Sequence, residues 1–419
     1  MDALIVSLLQ SCAEGNPDLL ESCLQYGLDL NFVTEDGLTP LMYAVTYAGN
    51  TQGGSYSRIV YMLLEAGSDP NIQDSHYGRT AGHYAAHCKQ SDILELLMEC
   101  GSDVTICDIE GQSTFHLAIT NGLEKCVELM VETIPALVNY TTQSGTAPLY
   151  LAAKAGSYKL CQKFLAFECD PYVIDPLTLQ SPLHAAAEQG HASIAGLLLK
   201  KEQSVLDATD ARGLTPVHLA ASNVSSSLVL SAICDLVGSD VLELTDASGL
   251  TPLMHACASG SETCVEFIVK KKANLMAKDS SEGKTCLHWA AESVIASSDI
   301  ISLLCKKRKG LVTELDVHGR IPLHSAATSG NVGAIKSLLD HGSDISAVDN
   351  DQYTPMHWAV AKIVLLPLTI ASLMSLLKND WTNGMRVVKS KRITIAPAYA
   401  VVDRALVNTS ITAKETIGA

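Results

Sequence analysis

A six-residue phrase, Gly-x-Thr-Pro-Leu-His, returns again and again along this 419-residue chain, and no other property restricts the possible folds so tightly. Clear copies are Gly37-Leu-Thr-Pro-Leu-Met42, Gly213-Leu-Thr-Pro-Val-His218 and Gly249-Leu-Thr-Pro-Leu-Met254. Looser copies include Gly78-Arg-Thr-Ala-Gly-His83, Gly111-Gln-Ser-Thr-Phe-His116, Gly145-Thr-Ala-Pro-Leu-Tyr150, Ser181-Pro-Leu-His184, Gly283-Lys-Thr-Cys-Leu-His288, Gly319-Arg-Ile-Pro-Leu-His324 and Thr354-Pro-Met-His357. The proline slot falls at 40, 81, 114, 148, 182, 216, 252, 286, 322 and 355, with gaps of 41, 33, 34, 34, 34, 36, 34, 36 and 33. Self-similarity at such a period means stacked copies of one supersecondary unit rather than a single globular core.

Each position of the phrase has a physical reason. Glycine permits a positive φ in a tight turn. Threonine offers an N-cap oxygen, and proline suits the first helical turn, where its missing N–H costs nothing. The alanine pairs that follow, such as Ala85-Ala86, Ala152-Ala153, Ala220-Ala221, Ala290-Ala291 and Ala326-Ala327, predict a short first helix lying close to its neighbours. A second turn is marked by Gly122, Gly156, Gly190, Gly260 and Gly330. A second helix then ends in a bulky cluster such as Leu63-Leu64 or Leu197-Leu198-Leu199, and closes on a glycine C-cap, as in Glu65-Ala66-Gly67 and Asp340-His341-Gly342. One unit cannot bury its own apolar face, but stacked neighbours can.

On these motifs the chain closely resembles the ankyrin-repeat family, over roughly 85% of its length. The Leu-His-Trp-Ala and Met-His-Trp-Ala units give it a looser likeness to large multi-ankyrin scaffold proteins such as inversin. The resemblance implies an all-α solenoid of helix-turn-helix repeats with β-hairpin turns, about eleven repeats in all, curved and right-handed. Residues 1–36 hold the same two helices without a leading hairpin and read as an N-terminal capping repeat. Residues 37–360 form the array, whose last repeat is incomplete. A Gly-rich stretch over 48–56 reads as a loop insertion between two helices. The run Ile363–Leu377 lacks the expected turn glycine and is strongly apolar, so 361–378 reads as an atypical helical cap, a docking segment or an altered splice product. Residues 379–419 show no strong period and read as a poorly ordered tail.

The charge pattern narrows the partners. Net charge is −16, and residues 360–419 carry eight Lys/Arg against three Asp/Glu, which leaves 21 basic and 42 acidic residues in the repeat region. An acidic body is the wrong sign for nucleic acid. Thirteen scattered cysteines with no C-x-x-C pair read as reduced, mostly buried thiols. The acidic start of the N-terminus reads as an amphipathic helix rather than a signal peptide, which makes the sequons at Asn139, Asn223 and Asn408 irrelevant. The apolar run with its central Pro367 is short for a membrane span.

Chemistry is sparse. His83 and His87 stand four apart on one helix with Cys88 adjacent, a spacing that could hold zinc. His83, however, fills the motif's histidine slot, as do His116, His184, His218, His288, His324 and His357, and the family resemblance implies a hydrogen bond within the turn there. Gly283-Lys284-Thr285 looks like the end of a phosphate loop, but Lys278 stands where the earlier glycine is required. Lys270-Lys-Lys272 and Lys306-Lys-Arg-Lys309 read as charges complementing second-helix dipoles, with nuclear import the other reading, and the same applies to Lys389-Ser-Lys-Arg392. Asp29-Leu-Asn31 and Asp69-Pro-Asn71 look like the asparagine sites hydroxylated in ankyrin repeats, against a simpler reading in which Asn caps the turn. No catalytic, cofactor-binding or metal-binding residue is assigned, and no enzyme activity is expected.

The expected function is protein binding by a scaffold or adaptor. The alternative is the cytoplasmic regulatory ankyrin arm of a membrane protein, a channel or acyltransferase, truncated at its C-terminus. In the family, ligands meet the hairpin tips and the exposed face of the first helices. Here that implies partner contacts at Glu35, Asp36, His76, Tyr77, Glu110, Arg212, Ser248, Glu282, His318 and Asp351. The expected partners are other proteins with basic patches, not nucleic acid or membrane, bound by a monomer in the cytoplasm or the nucleus.

Overall fold

The computed structural model describes residues 2–49 and 55–363. The middle of the Gly-rich insertion, the apolar run beyond Ile363, the basic cluster at Lys389–Arg392 and the sequon at Asn408 lie outside the described residues. Within them the fold is an all-α ankyrin solenoid, whose one β-type pairing is an isolated bridge between Cys107 and Ser113. The described residues fall into two compact units, those up to Pro216 with Asp235–Val237, and Val217–Cys234 with those from Gly238 to Ile363.

The first unit holds six helix pairs: α1 (Asp2–Glu14) and α2 (Pro17–Leu24), α3 (Pro40–Ala48) and α4 (Ser55–Glu65), α5 (Ala81–His87) and α6 (Ser91–Glu99), α7 (Thr114–Thr120) and α8 (Glu124–Thr133), α9 (Pro148–Ala155) and α10 (Tyr158–Ala166), and α11 (Pro182–Gln189) and α12 (Ala192–Lys201). The second unit is built from most of α13 (Pro216–Ser222) and of α14 (Ser227–Val237), α15 (Pro252–Ser259) and α16 (Glu262–Lys270), α17 (Cys286–Glu292) and α18 (Ser298–Lys307), α19 (Pro322–Ser329) and α20 (Val332–Asp340), and a final α21 (Pro355–Ile363).

In each unit first helices pack on first helices and second helices on second helices, as α5 on α7 and α6 on α8, or α17 on α19 and α18 on α20. The alanine pairs lie at these first-helix contacts and are buried, which lets the short helices approach closely. The second helices supply the bulk, with Leu63, Leu97, Phe164, Leu198, Ile268 and Leu304 buried. None of the thirteen cysteines is bridged; burial pushes the thiols of Cys12, Cys161 and Cys169 up to about 12, which keeps them protonated and inert.

The second helices do not all end as the sequence reading expects. Gly27, Gly67, Gly101 and Gly342 take the left-handed C-cap position, but Glu168 (φ 57°) and Lys272 (φ 65°) occupy the same place without glycine's freedom. Four second helices instead run on into a 3-10 turn, at Pro135–Asn139, Gln203–Leu206, Asp240–Glu243 and Lys309–Thr313. Each turn buries an apolar pair, Leu137-Val138, Val205-Leu206, Val241-Leu242 and Leu311-Val312, so extra burial replaces the glycine cap. Exposed Lys272 and Glu168 sit in a conformation that disfavours a Cβ. Lys272→Gly and Glu168→Gly are each expected to raise stability by about 0.5–1 kcal/mol, read as an increase in the urea midpoint.

Candidate partner-binding surface

The surface is built on a side-chain acceptor six or seven residues before each proline slot, an aspartate in eight repeats and Thr34 or Thr142 in the other two. Oδ1 of Asp108 accepts the N–H groups of Glu110 and Gln112, both at 3.0 Å, and Asp210, Asp246, Asp316 and Asp349 hold the equivalent pairs. Where the tip is one residue longer, Asp74 takes three backbone N–H groups (His76, Tyr77, Arg79) and Asp279 also takes three (Ser281, Glu282, Gly283). The hairpin is closed by two backbone bonds, as Asp316 N–H to the Arg320 carbonyl at 3.0 Å and Gly319 N–H to the Asp316 carbonyl at 3.1 Å. Burial works to raise the carboxyls of Asp74, Asp210 and Asp316, but the converging N–H groups, with Arg212 or Arg320 beside the latter two, outweigh it and hold all three below the ordinary carboxylate value.

The second carboxylate oxygen ties the hairpin to the first helix. It accepts from Tyr84 Oη (3.0 Å, Asp74), Trp289 Nε1 (3.0 Å, Asp279) and Trp358 Nε1 (2.8 Å, Asp349), and it meets His255 Nε2 at 2.8 Å (Asp246). In Asp316 that oxygen takes the Arg320 guanidinium at 2.7 Å, and in Asp210 the Arg212 guanidinium at 2.9 Å.

The motif histidine joins each repeat to the next. His288 Nδ1 accepts the N–H of Thr285 (3.1 Å) and its hydroxyl (2.9 Å), which leaves the proton on Nε2 to donate to the Arg320 carbonyl at 3.0 Å. His83 and His184 repeat the arrangement with the carbonyls of Gln112 and Leu214, and His324 accepts the Ile321 N–H alone while its Nε2 meets the Tyr353 carbonyl. His116 uses the Tyr140 carbonyl. Where methionine fills the slot, the thioether of Met42 or Met254 accepts the same N-cap N–H at 3.5 Å. His357 Nε2 is buried without a partner among the described residues. With both ring nitrogens of His83 engaged, the His83/His87 pair has no free imidazole lone pair to offer zinc from that residue.

Successive tips are linked by single backbone bonds: Ser75 to Gly37, Ile109 to Tyr77, Gln143 to Gly111 and Ala211 to Thr178 in the first unit, and Ser280 to Ser248, Val317 to Glu282 and Asn350 to His318 in the second. The fit is tight. A Cβ on Gly249 would lie 2.6 Å from the backbone nitrogen of Ser280.

The predicted contact residues all sit on this row. Glu35, Asp36, His76, Tyr77, Glu110, Arg212, Ser248, His318 and Asp351 are exposed. Asp36 accepts a bond from Tyr43, and Tyr77 lies under the Arg79 guanidinium at 5.0 Å. Glu282 differs: it is half-buried and pairs with Lys284 at 2.7 Å and Arg320 at 3.4 Å. Lys284, in the Gly-Lys-Thr run that lacks the earlier glycine of a phosphate loop, is 6% exposed, clamped between Glu282 and Glu292, and set over the Trp289 ring. Asn31 and Asn71 are bridges rather than local caps. Asn31 donates to the Gly67 carbonyl and accepts the Asp69 N–H, and Asn71 does the same with Gly101 and Asp103.

Comparison with known proteins agrees with this frame. A family model described as ankyrin repeats (3 copies) matches residues 8–108, 50–144, 83–175, 149–241 and 226–313, and one described as ankyrin repeats (many copies) matches 323–362. The chain is 26% identical over 192 residues to the nuclear factor NF-kappa-B p105 subunit of Gallus gallus, covering 44% of this chain and 19% of that protein. It is 27% identical over 199 residues to neurogenic locus notch homolog protein 1 of Homo sapiens, covering 46% and 8%. It is 24% identical over 260 residues to NF-kappa-B inhibitor delta of Mus musculus, covering 60% and 74%. The chain therefore spans less than a fifth of the length of the first two.

Proposed function

Because the chain belongs to the ankyrin-repeat family, we propose that it is a non-enzymatic scaffold or adaptor that binds partner proteins through its hairpin tips and the adjoining exposed face of its first helices. One observation carries this reading. The carboxylate, histidine and backbone bonds that hold the hairpins recur from repeat to repeat, while the residues at the tips change (Glu35-Asp36, His76-Tyr77, Arg212, Ser248, His318) and stay exposed. A fixed frame with variable exposed positions suits recognition. The name of the inhibitor relative describes action on another protein, which fits the same class of work.

The partner carries a basic patch and the chain acts as a cytoplasmic monomer. The repeat region's 42 acidic against 21 basic residues supports the sign. Raising salt from about 50 to 300 mM is expected to weaken binding by about tenfold or more, because exposed charges are screened over about a Debye length. Titration calorimetry at the two salt concentrations measures this, and equal affinity contradicts it. The reading as a whole is tested by affinity capture with the full chain and with a variant carrying Asp36→Arg, Glu110→Arg, Arg212→Glu and His318→Glu. Proteins bound by the first and lost by the second are expected; identical sets would overturn the tip assignment.

A further inference from the structure

Two inter-helix loops of the second unit are longer than the fold needs. Between α15 and α16, and between α19 and α20, the connection is two residues, Gly260-Ser261 and Gly330-Asn331. Between α13 and α14 it is Asn223–Ser226, and between α17 and α18 it is Ser293–Ser297. The inward position of each long loop is filled by a small buried residue, Ser226 or Ala296. The long loops turn apolar side chains to solvent, Val224 (57% exposed), Val294 (75%) and Ile295 (76%), and Leu228 in the first turn of α14 joins them at 69%. Clustered apolar side chains in solvent mark interaction sites.

Both loops adjoin the short Gly260-Ser261 turn that lies between them. Ser261 Oγ donates to the Asn223 carbonyl at 3.2 Å and Thr263 Oγ1 to the Val224 carbonyl at 3.0 Å. On the other side Gly260 lies so close to the next loop that a Cβ would meet the Ile295 carbonyl group at 3.0 Å. Val224 with Leu228, and Val294 with Ile295, thus form two apolar ridges across a low Gly260-Ser261 floor. Two steps of about 8–10 Å between packed helices place the ridges about 18 Å apart, room for one helix about 10–12 Å wide. The surroundings are acidic. Residues 217–269 and 285–305 contain no lysine or arginine, and Glu262, Glu266 and Asp299 stand on the helices beside the notch.

We propose that this notch is a second docking surface, at the opposite end of the first helices from the hairpin tips. Its occupant is a short amphipathic protein segment with apolar residues on one face and Lys/Arg on its flanks. The acidic rim favours that occupant over an anionic lipid surface or a second copy of this acidic chain.

The test uses the full chain and two labelled helical peptides of about 18 residues, one of Leu and Lys and one of Leu and Glu in the same pattern, read by fluorescence anisotropy. The Leu/Lys peptide is expected to bind at least about tenfold more tightly than the Leu/Glu peptide. The combined variant Val224→Asn, Val294→Asn, Ile295→Asn is expected to weaken Leu/Lys binding by about tenfold or more. Tip variants Asp36→Arg and Glu110→Arg are expected to leave it unchanged, which separates this proposal from the tip reading. Should the triple variant melt early, Glu262→Lys with Asp299→Lys keeps the apolar ridges and is expected to reverse the peptide preference. Equal binding by wild type and both variants overturns the proposal. So does equal binding of the two peptides, or a dimerisation or anionic-vesicle binding that the triple variant abolishes.

Discussion

Between pH 7 and pH 4.5 the urea midpoint of this protein is expected to fall steadily. The cause is the motif histidine. Burial, joined at His218 by the neighbouring His255, keeps the imidazole neutral, so the pKa values of His218 and His288 drop from 6.5 to about 4. His83, His116, His184, His324 and His357 shift in the same direction, each with burial as the leading cause. A folded pKa below the unfolded one means that the unfolded chain binds more protons. Stability is therefore whole above about pH 6.5 and is lost as pH falls towards the folded value. For His218 and His288 the loss reaches about 3 kcal/mol each near pH 4. The hairpin aspartates with depressed carboxyls add to it only lower, because their contribution is present above about pH 4 and disappears as pH falls through their folded values. A midpoint that stays flat from pH 7 to pH 5 contradicts the neutral-histidine account.

The second large effect is expected from Asp316→Ala. The carboxylate is fully buried and accepts the N–H groups of His318 (2.8 Å) and Arg320 (2.9 Å) and the Arg320 guanidinium at 2.7 Å. Removing it strands two backbone donors and leaves a largely buried cation with the looser Glu282 contact at 3.4 Å and the Trp358 ring at 5.8 Å. The expected cost is about 3–4 kcal/mol, read as a lower urea midpoint. Thr142 shows a milder solution, since its hydroxyl accepts one backbone N–H, that of Thr146 at 3.0 Å. Asp316→Thr should therefore cost less than Asp316→Ala. A loss under about 1 kcal/mol for Asp316→Ala would mean that the carboxylate does not hold the hairpin.

Much of the frame is legible in the sequence. Gly249, Thr251, Pro252 and the alanine pairs announce turn, cap and close helix because each performs a local task that few residue types can perform. The hairpin aspartate was equally available at Asp74, Asp108, Asp175, Asp210, Asp246, Asp279, Asp316 and Asp349, yet it reads as an ordinary polar loop residue until the bonds across the turn are seen. Pairs such as Leu137-Val138 merge with the apolar end of the preceding helix, so the 3-10 turns leave no separate periodic signal. The 36-residue gaps at 216–252 and 286–322 do record the two repeats with long apolar loops, but spacing alone does not say where in a repeat the extra residues stand. Glu282 illustrates the limit at the site. Its position on a tip is readable, whereas its pairing with Lys284 and with Arg320 of the next repeat depends on stacking.

The central claim is that the tips of the hairpins meet the partner. Hydrogen exchange on the full chain, alone and with a protein captured by it, tests this most directly. Slower exchange is expected over the hairpin tips, including residues 35–36, 76–77, 109–110, 211–212, 247–248 and 317–318, with the second helices unchanged. Protection confined to the second helices, with the tips exchanging as in the free chain, would contradict it.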